Sequence, residues 1–114
     1  MIVLIVDDEP LIRLGVGALL GELGHQALDA ATGTKALQML VDHPEIELML
    51  TDFRMPGLSG LDLIEQCRDL RPDLRVIVMT GYSSTDHIFP DDCPPRLAKP
   101  FSINDLTNAI EQVS

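Results

Sequence analysis

Aromatic side chains are almost missing from this chain of 114 residues: three Phe, one Tyr and no Trp, 4% of the total. Whatever core it builds must be aliphatic. Basic residues are also few, 8 Lys and Arg against 18 Asp and Glu, for a formal net charge of −10. That argues against a nucleic-acid surface, which needs a basic footprint. It suits a cluster of carboxylates that binds a cation. The two cysteines, Cys67 and Cys93, form neither a metal spacing nor a disulfide framework. No apolar run is long enough to span a bilayer. Met1–Val6 is apolar but has no basic flank and runs straight into Asp7–Asp8, unlike a signal peptide. The expectation is a cytoplasmic protein without membrane contact.

What is present is the composition of a globular domain, 46% hydrophobic and 23% charged. Its size allows one core, so residues 1–114 are expected to form one domain. Ile2–Val6 reads as a strand buried on both faces, the pattern of parallel sheets. Pro10 opens a helix, with Leu11, Leu14, Leu19 and Leu23 as its apolar stripe and Gly24 as its stop. His25–Ala31 is a weak second strand. Thr32 or Thr34 caps a second helix through about Asp42, with Ala36, Leu37 and Leu40 facing inward. Leu48–Asp52 is a third strand, closed by the turn signal Met55–Pro56–Gly57.

Ser59 and Asp62 suit a capping box at the next helix, whose stripe is Leu63, Cys67 and Leu70, with Leu61 and Ile64 beside it. Val76–Met79 is a fourth buried strand, ending at Thr80–Gly81. Ser83–Pro95 holds three prolines, so the fourth helix is expected to be short or distorted. Arg96–Ala98 is a brief last strand. Ser102 and Asp105 form a second capping box, and Leu106, Ala109, Ile110 and Val113 line the final helix. Strands alternating with helices imply βαβ units and a parallel α/β sheet. His25, His43 and His87 lack ligand or relay spacing and read as surface or packing residues.

Four strands end in polar groups: Asp7–Asp8 after the first, Asp52 after the third, Thr80 after the fourth and Lys99 after the fifth. In a parallel sheet those ends share one edge, where open α/β folds bind ligands. Each residue alone has a plain explanation as a turn, a helix-start charge or a solvated lysine. Together they make a site. Two unit charges 4 Å apart repel by about 4 kcal/mol at an effective dielectric of 20. Three carboxylates and one ammonium therefore call for a hard divalent cation. Mg²⁺ prefers one or two carboxylates, several waters and phosphate oxygens. Asp52 as nucleophile would form an aspartyl-phosphate. Lys99 and the cation would neutralise the phosphoryl oxygens, and the Thr80 hydroxyl would donate to one of them.

Asp7–Asp8, Asp52 with Met55–Pro56–Gly57 and Gly60, Thr80–Gly81 and Lys99–Pro100–Phe101 stand in the order and spacing of one family. Over essentially its whole length the chain resembles the receiver domain of two-component response regulators. The resemblance implies a flavodoxin-like, doubly wound sheet of five parallel strands in the order 2-1-3-4-5, with helices on both faces. It implies that Asp52 accepts a phosphoryl group from a histidine kinase or phosphotransfer protein. It further implies that Asp7, Asp8, Asp52 and the Arg54 backbone carbonyl hold Mg²⁺ or Mn²⁺, that Lys99 contacts the phosphoryl group, and that Lys99–Pro100 is cis. The output would be a conformational change read by a downstream protein partner, without direct nucleic-acid or membrane binding, in a monomer or weak dimer. The only catalysis expected is of its own phosphorylation and dephosphorylation. The domain would stand alone or belong to a longer response regulator or hybrid kinase.

The chain departs from the family where the switch is built. Three residues before Lys99, where the family has an aromatic, stands Arg96. Thr80 and Lys99 are expected to sense the phosphoryl group without an aromatic relay. Arg54 and Tyr82, each two residues beyond a site residue, are bulky and are expected to slow hydrolysis. Two rival classes fit less well. Haloacid-dehalogenase-type phosphatases place their nucleophile after the first strand in an Asp-x-Asp pattern, where this chain has Asp7–Asp8–Glu9–Pro10. A flavodoxin-like cofactor-binding module needs Gly, Ser or Thr to cradle phosphate after the first strand, where this chain has acids.

Overall fold

The structure, a computed structural model, describes residues 1–52, 60–80, 95–99 and 101–113. Among them strands and helices alternate as far as β4, and β5 is the next described element: β1 (Ile2–Val6), α1 (Pro10–Glu22), β2 (Gln26–Ala30), α2 (Gly33–Asp42), β3 (Leu48–Asp52), α3 (Gly60–Leu70), β4 (Arg75–Thr80), β5 (Arg96–Ala98) and α4 (Ile103–Val113). The Met55–Pro56–Gly57 turn, the Ser59 cap, Gly81, His87 and Cys93 lie outside the described residues. So does the short helix expected within Ser83–Pro95, of which Pro95 alone is described.

All strand pairs are parallel, and the sheet order is β2-β1-β3-β4-β5. This is the doubly wound arrangement that the resemblance implied. Alternate residues of each strand face opposite sides. Val3, Ile5, Leu48, Leu50, Ile77 and Met79 join α1 and α4 in one core cluster. Leu4, Val6, Met49, Val76 and Val78 join α2 and α3 in the other. No aromatic side chain belongs to the buried core among the described residues. No helix among them is long and apolar enough to cross a membrane.

The helix ends follow local chemistry. Thr32 accepts from the Lys35 amide and caps α2. Ser102 and Asp105 accept from each other's amides, a reciprocal capping box at α4. Gly24, with φ +86°, takes the left-handed turn that ends α1.

Two apolar stripes differ from expectation. On α1, Leu11 and Leu14 are 80% and 72% exposed, while Val16 and Leu20 are buried. The helix carries Leu, Ile or Val on nearly every side, so periodicity alone does not pick the buried face; packing on β1 and β2 does. On α3, Leu63, Ile64 and Cys67 are buried but Leu70 is half exposed. Leu70 is the last residue of the helix. It is the following residue, Arg71, that turns back, its Nη2 donating to the Ile46 carbonyl at 2.6 Å.

Cys67 is fully buried with its Sγ 3.7 Å from the Met49 sulfur, and burial pushes its thiol pKa up to about 12. At pH 8 iodoacetamide should leave the Cys67 peptide unmodified in the native protein and label it fully in urea, by mass mapping. Native labelling at the unfolded rate would contradict the packing of α3.

His43 pairs with Glu45 at the surface. His25 is half-buried; burial and then the nearby Met1 amino group lower its pKa, against an opposing pull from Glu47. A lowered histidine pKa favours the neutral ring in the fold. Its stabilisation is full above pH 6.5 and is lost as pH falls through the lowered value. Urea midpoints of His25→Gln should therefore show a shallower decline with falling pH below 6.5 than wild type; parallel curves would remove His25 from the acid response.

Candidate functional site

Strand register assembles the site. Val6 pairs with both Thr51 and Ala30, so Asp7 and Asp52 emerge side by side beyond the ladder. Asp52 pairs with Met79, and Thr80 with Ala98. The Lys99 amide then donates to the Thr80 carbonyl at 2.7 Å. Three consecutive parallel pairings thus bring residues 7, 52, 80 and 99 to one edge, as the positions of the polar residues predicted.

Asp7 is fully buried, Asp52 and Thr80 are nearly so, and Asp8 is exposed. The Lys99 ammonium lies 2.7 Å from Asp7 Oδ2 and 3.3 Å from Asp52 Oδ1, with its side chain only 16% exposed. Burial works against that charge. The hydrogen bond to Asp7 and the charges of Asp52 and Asp7 outweigh it, and the Lys99 pKa stands above the ordinary lysine value. The ammonium is therefore charged throughout the neutral range.

Oxygens of Asp7, Asp8 and Asp52 all lie within 4.8 Å of one another. At that separation each pair of carboxylates repels by about 3 kcal/mol at a dielectric of 20. One ammonium leaves the cluster net negative. Hard carboxylate oxygens, two of them on buried residues and one on an exposed residue, match a small divalent cation that keeps part of its water shell. The residues present therefore fit Mg²⁺ or Mn²⁺.

The loop that carries these acids is held at every polar atom of Asp7. Its amide donates to the Ala30 carbonyl, and its Oδ1 accepts from the Glu9 amide at 2.9 Å, just before Pro10 begins α1. Its Oδ2 accepts from Lys99. Its carbonyl accepts from Arg13 Nη1 at 2.8 Å, while Arg13 Nε donates to Asp29 Oδ2 at 2.8 Å. The sequence reading missed Arg13. The available signal was a cation one turn into the helix that follows the acidic pair, since helical side chains lean toward the N-terminus.

Of the remaining predicted residues, Arg96 lies exposed in β5, three residues before Lys99. Arg54, Tyr82 and Pro100 lie outside the described residues.

Residues 3–111 match the response regulator receiver domain family. The chain is similar to Sporulation initiation phosphotransferase F of Bacillus subtilis, 31% identical over 113 residues that cover 96% of this chain and 90% of the relative. It is also similar to the response regulator receiver protein CpdR of Brucella abortus, 34% identical over 116 residues, covering 98% and 94%. Among solved structures it is similar to the response regulator protein TrrA of Thermotoga maritima in complex with Mg²⁺ and BeF, with TM-score 0.85, 28% identity and coverage of 99% and 98%.

Proposed function

Because the chain belongs to the response regulator receiver domain family of two-component systems, we propose that Asp52 is its phosphoacceptor. The observation that carries this reading is the ammonium of Lys99, held on Asp7 and Asp52 at once within a cluster of three carboxylates. An oxygen of Asp52 attacks the phosphorus of a phosphohistidine on a histidine kinase or phosphotransfer protein. The O–P bond forms, the N–P bond breaks, and the imidazole leaves with the bonding pair and takes up a proton. Lys99 meets the charge on the transferred oxygens, and Thr80, at the end of β4, supplies a hydroxyl beside them. Asp7, Asp8 and Asp52, with the Arg54 carbonyl, would hold Mg²⁺ or Mn²⁺, whose chemistry there is neutralisation of phosphoryl charge.

Hydrolysis of the aspartyl-phosphate returns the resting state, with Arg54 and Tyr82 limiting water access. Phosphoryl lifetimes unchanged in Arg54→Ala and Tyr82→Ala would remove that role. Signalling passes to a downstream protein by a shift of Thr80 and Lys99, in the cytoplasm and without action on any other substrate. With Arg96 in place of the aromatic, partner coupling should survive Arg96→Ala; its loss would give that position a part in the switch.

The test is incubation with acetyl phosphate, with and without Mg²⁺, followed by intact mass. A Mg²⁺-dependent gain of one phosphoryl group, absent in Asp52→Asn, is expected. No gain under any condition would overturn the reading.

A further inference from the structure

Asp7 and Asp8 sit on a short loop whose aim is set by the Asp7 backbone. The strand ladder ends at Val6, so the Asp7 carbonyl has no partner from β3 or β2 in the sheet register. Arg13 takes that place, and its guanidinium bridges two directions at once: Nη1 to the Asp7 carbonyl and Nε to Asp29, both at 2.8 Å. Asp29 pairs in register with Ile5, on the α1 side of the sheet. The guanidinium thus ties the acidic loop to the edge strand β2.

The Asp29 half of the bridge is not explained by stability. Asp29 is 58% exposed, and an ion pair to so exposed a carboxylate adds little. Nor is it explained by attraction for a cation, since a guanidinium beside the cluster repels one. Its effect is geometric: a planar fork with fixed donors holds one carbonyl relative to one strand, which a flexible ammonium does not.

We infer that Arg13 is a positioning residue for the divalent-cation site, fixing the Asp7–Asp8 loop through the Asp7 carbonyl with Asp29 as its anchor. This rests on the reading that Asp7, Asp8 and Asp52 bind Mg²⁺. The sign of the effect separates it from plain electrostatics. Loss of a nearby positive charge, taken alone, tightens Mg²⁺ binding; loss of the positioning contact weakens it.

The experiment is Mg²⁺ titration by calorimetry of wild type, Arg13→Ala, Arg13→Lys and Asp29→Ala, joined to amide hydrogen exchange of residues 7–9 in metal-free protein. Arg13→Ala should weaken Mg²⁺ binding about tenfold, as loss of an outer-shell partner does. Arg13→Lys should restore little of it, and Asp29→Ala should weaken binding less but in the same direction. The Asp7 and Glu9 amides should exchange faster in Arg13→Ala, while exchange in β3 and β4 stays as in wild type. A role confined to fold stability would lower the melting temperature and leave the Mg²⁺ affinity of the folded protein unchanged. Unchanged or tighter binding in Arg13→Ala, or full recovery in Arg13→Lys, overturns the inference. A wild-type protein that binds no Mg²⁺ overturns the cation site itself and this inference with it; a wild type that binds beside variants of equal affinity overturns the inference alone.

Discussion

Replacing Lys99 with methionine should lower the stability of the metal-free protein by about 3 kcal/mol, the lower end of what losing one partner of a buried ion pair costs. The variant keeps an aliphatic stem of similar length, so packing changes little. What it loses is the one described cation between Asp7, fully buried, and Asp52, whose side chain is 12% exposed. Those carboxylates then repel each other, with Asp8 within 4.8 Å. The low end applies because Lys99 and Asp52 keep some solvent contact.

Urea unfolding in EDTA should show this as a fall in midpoint at constant slope. Added Mg²⁺ should close much of the gap between Lys99→Met and wild type. A cation at 100 times its dissociation constant stabilises the native state by about 2.7 kcal/mol, and in the variant no ammonium competes for the same oxygens. Equal midpoints in EDTA would mean that the lysine contributes no net stability. A gap unmoved by Mg²⁺ would mean that the metal does not replace its charge.

The second large effect tests which face of α1 is buried. Leu20→Ala should destabilise by about 3 kcal/mol, within the range for truncating a core leucine, because Leu20 is fully buried among Val3, Ile5 and Leu50. Leu14→Ala, on the same helix, should change stability by less than about 0.5 kcal/mol, because Leu14 is 72% exposed and alanine is the better helix former. Paired urea titrations read both. Equal losses would restore the stripe through Leu11 and Leu14 that spacing suggested.

The sequence by itself determined which segments are strands and where their polar ends fall. Continuous runs such as Ile2–Val6 and Leu48–Leu50 admit only burial on both faces, and a carboxylate after such a run must stand at the sheet edge. Residues 7, 8 and 52 were legible for that reason, and residues 80 and 99 as the polar groups at the ends of the fourth and fifth strands. The cap at Ser102 was legible, and the cap of α2 was narrowed to Thr32 or Thr34, because capping is a local exchange between a side chain and an amide two or three residues on; the structure selects Thr32. The order of the strands was not readable from periodicity, which separates continuous buried runs from weaker ones but does not order them; it came from the resemblance.

The tertiary structure alone decided the rest. The face of α1 was open because its leucines surround the axis, and only packing against the sheet selects Val16 and Leu20. Leu70 followed the stripe in sequence but falls at the end of α3, where Arg71 turns back instead. Arg13 showed in the sequence only as a cation one turn into α1; its partners, a carbonyl six residues back and a carboxylate sixteen residues ahead, did not. Such a bridge exists only once the parallel pairing of β1 and β2 has set Asp29 beside the loop, a distance that no local pattern encodes.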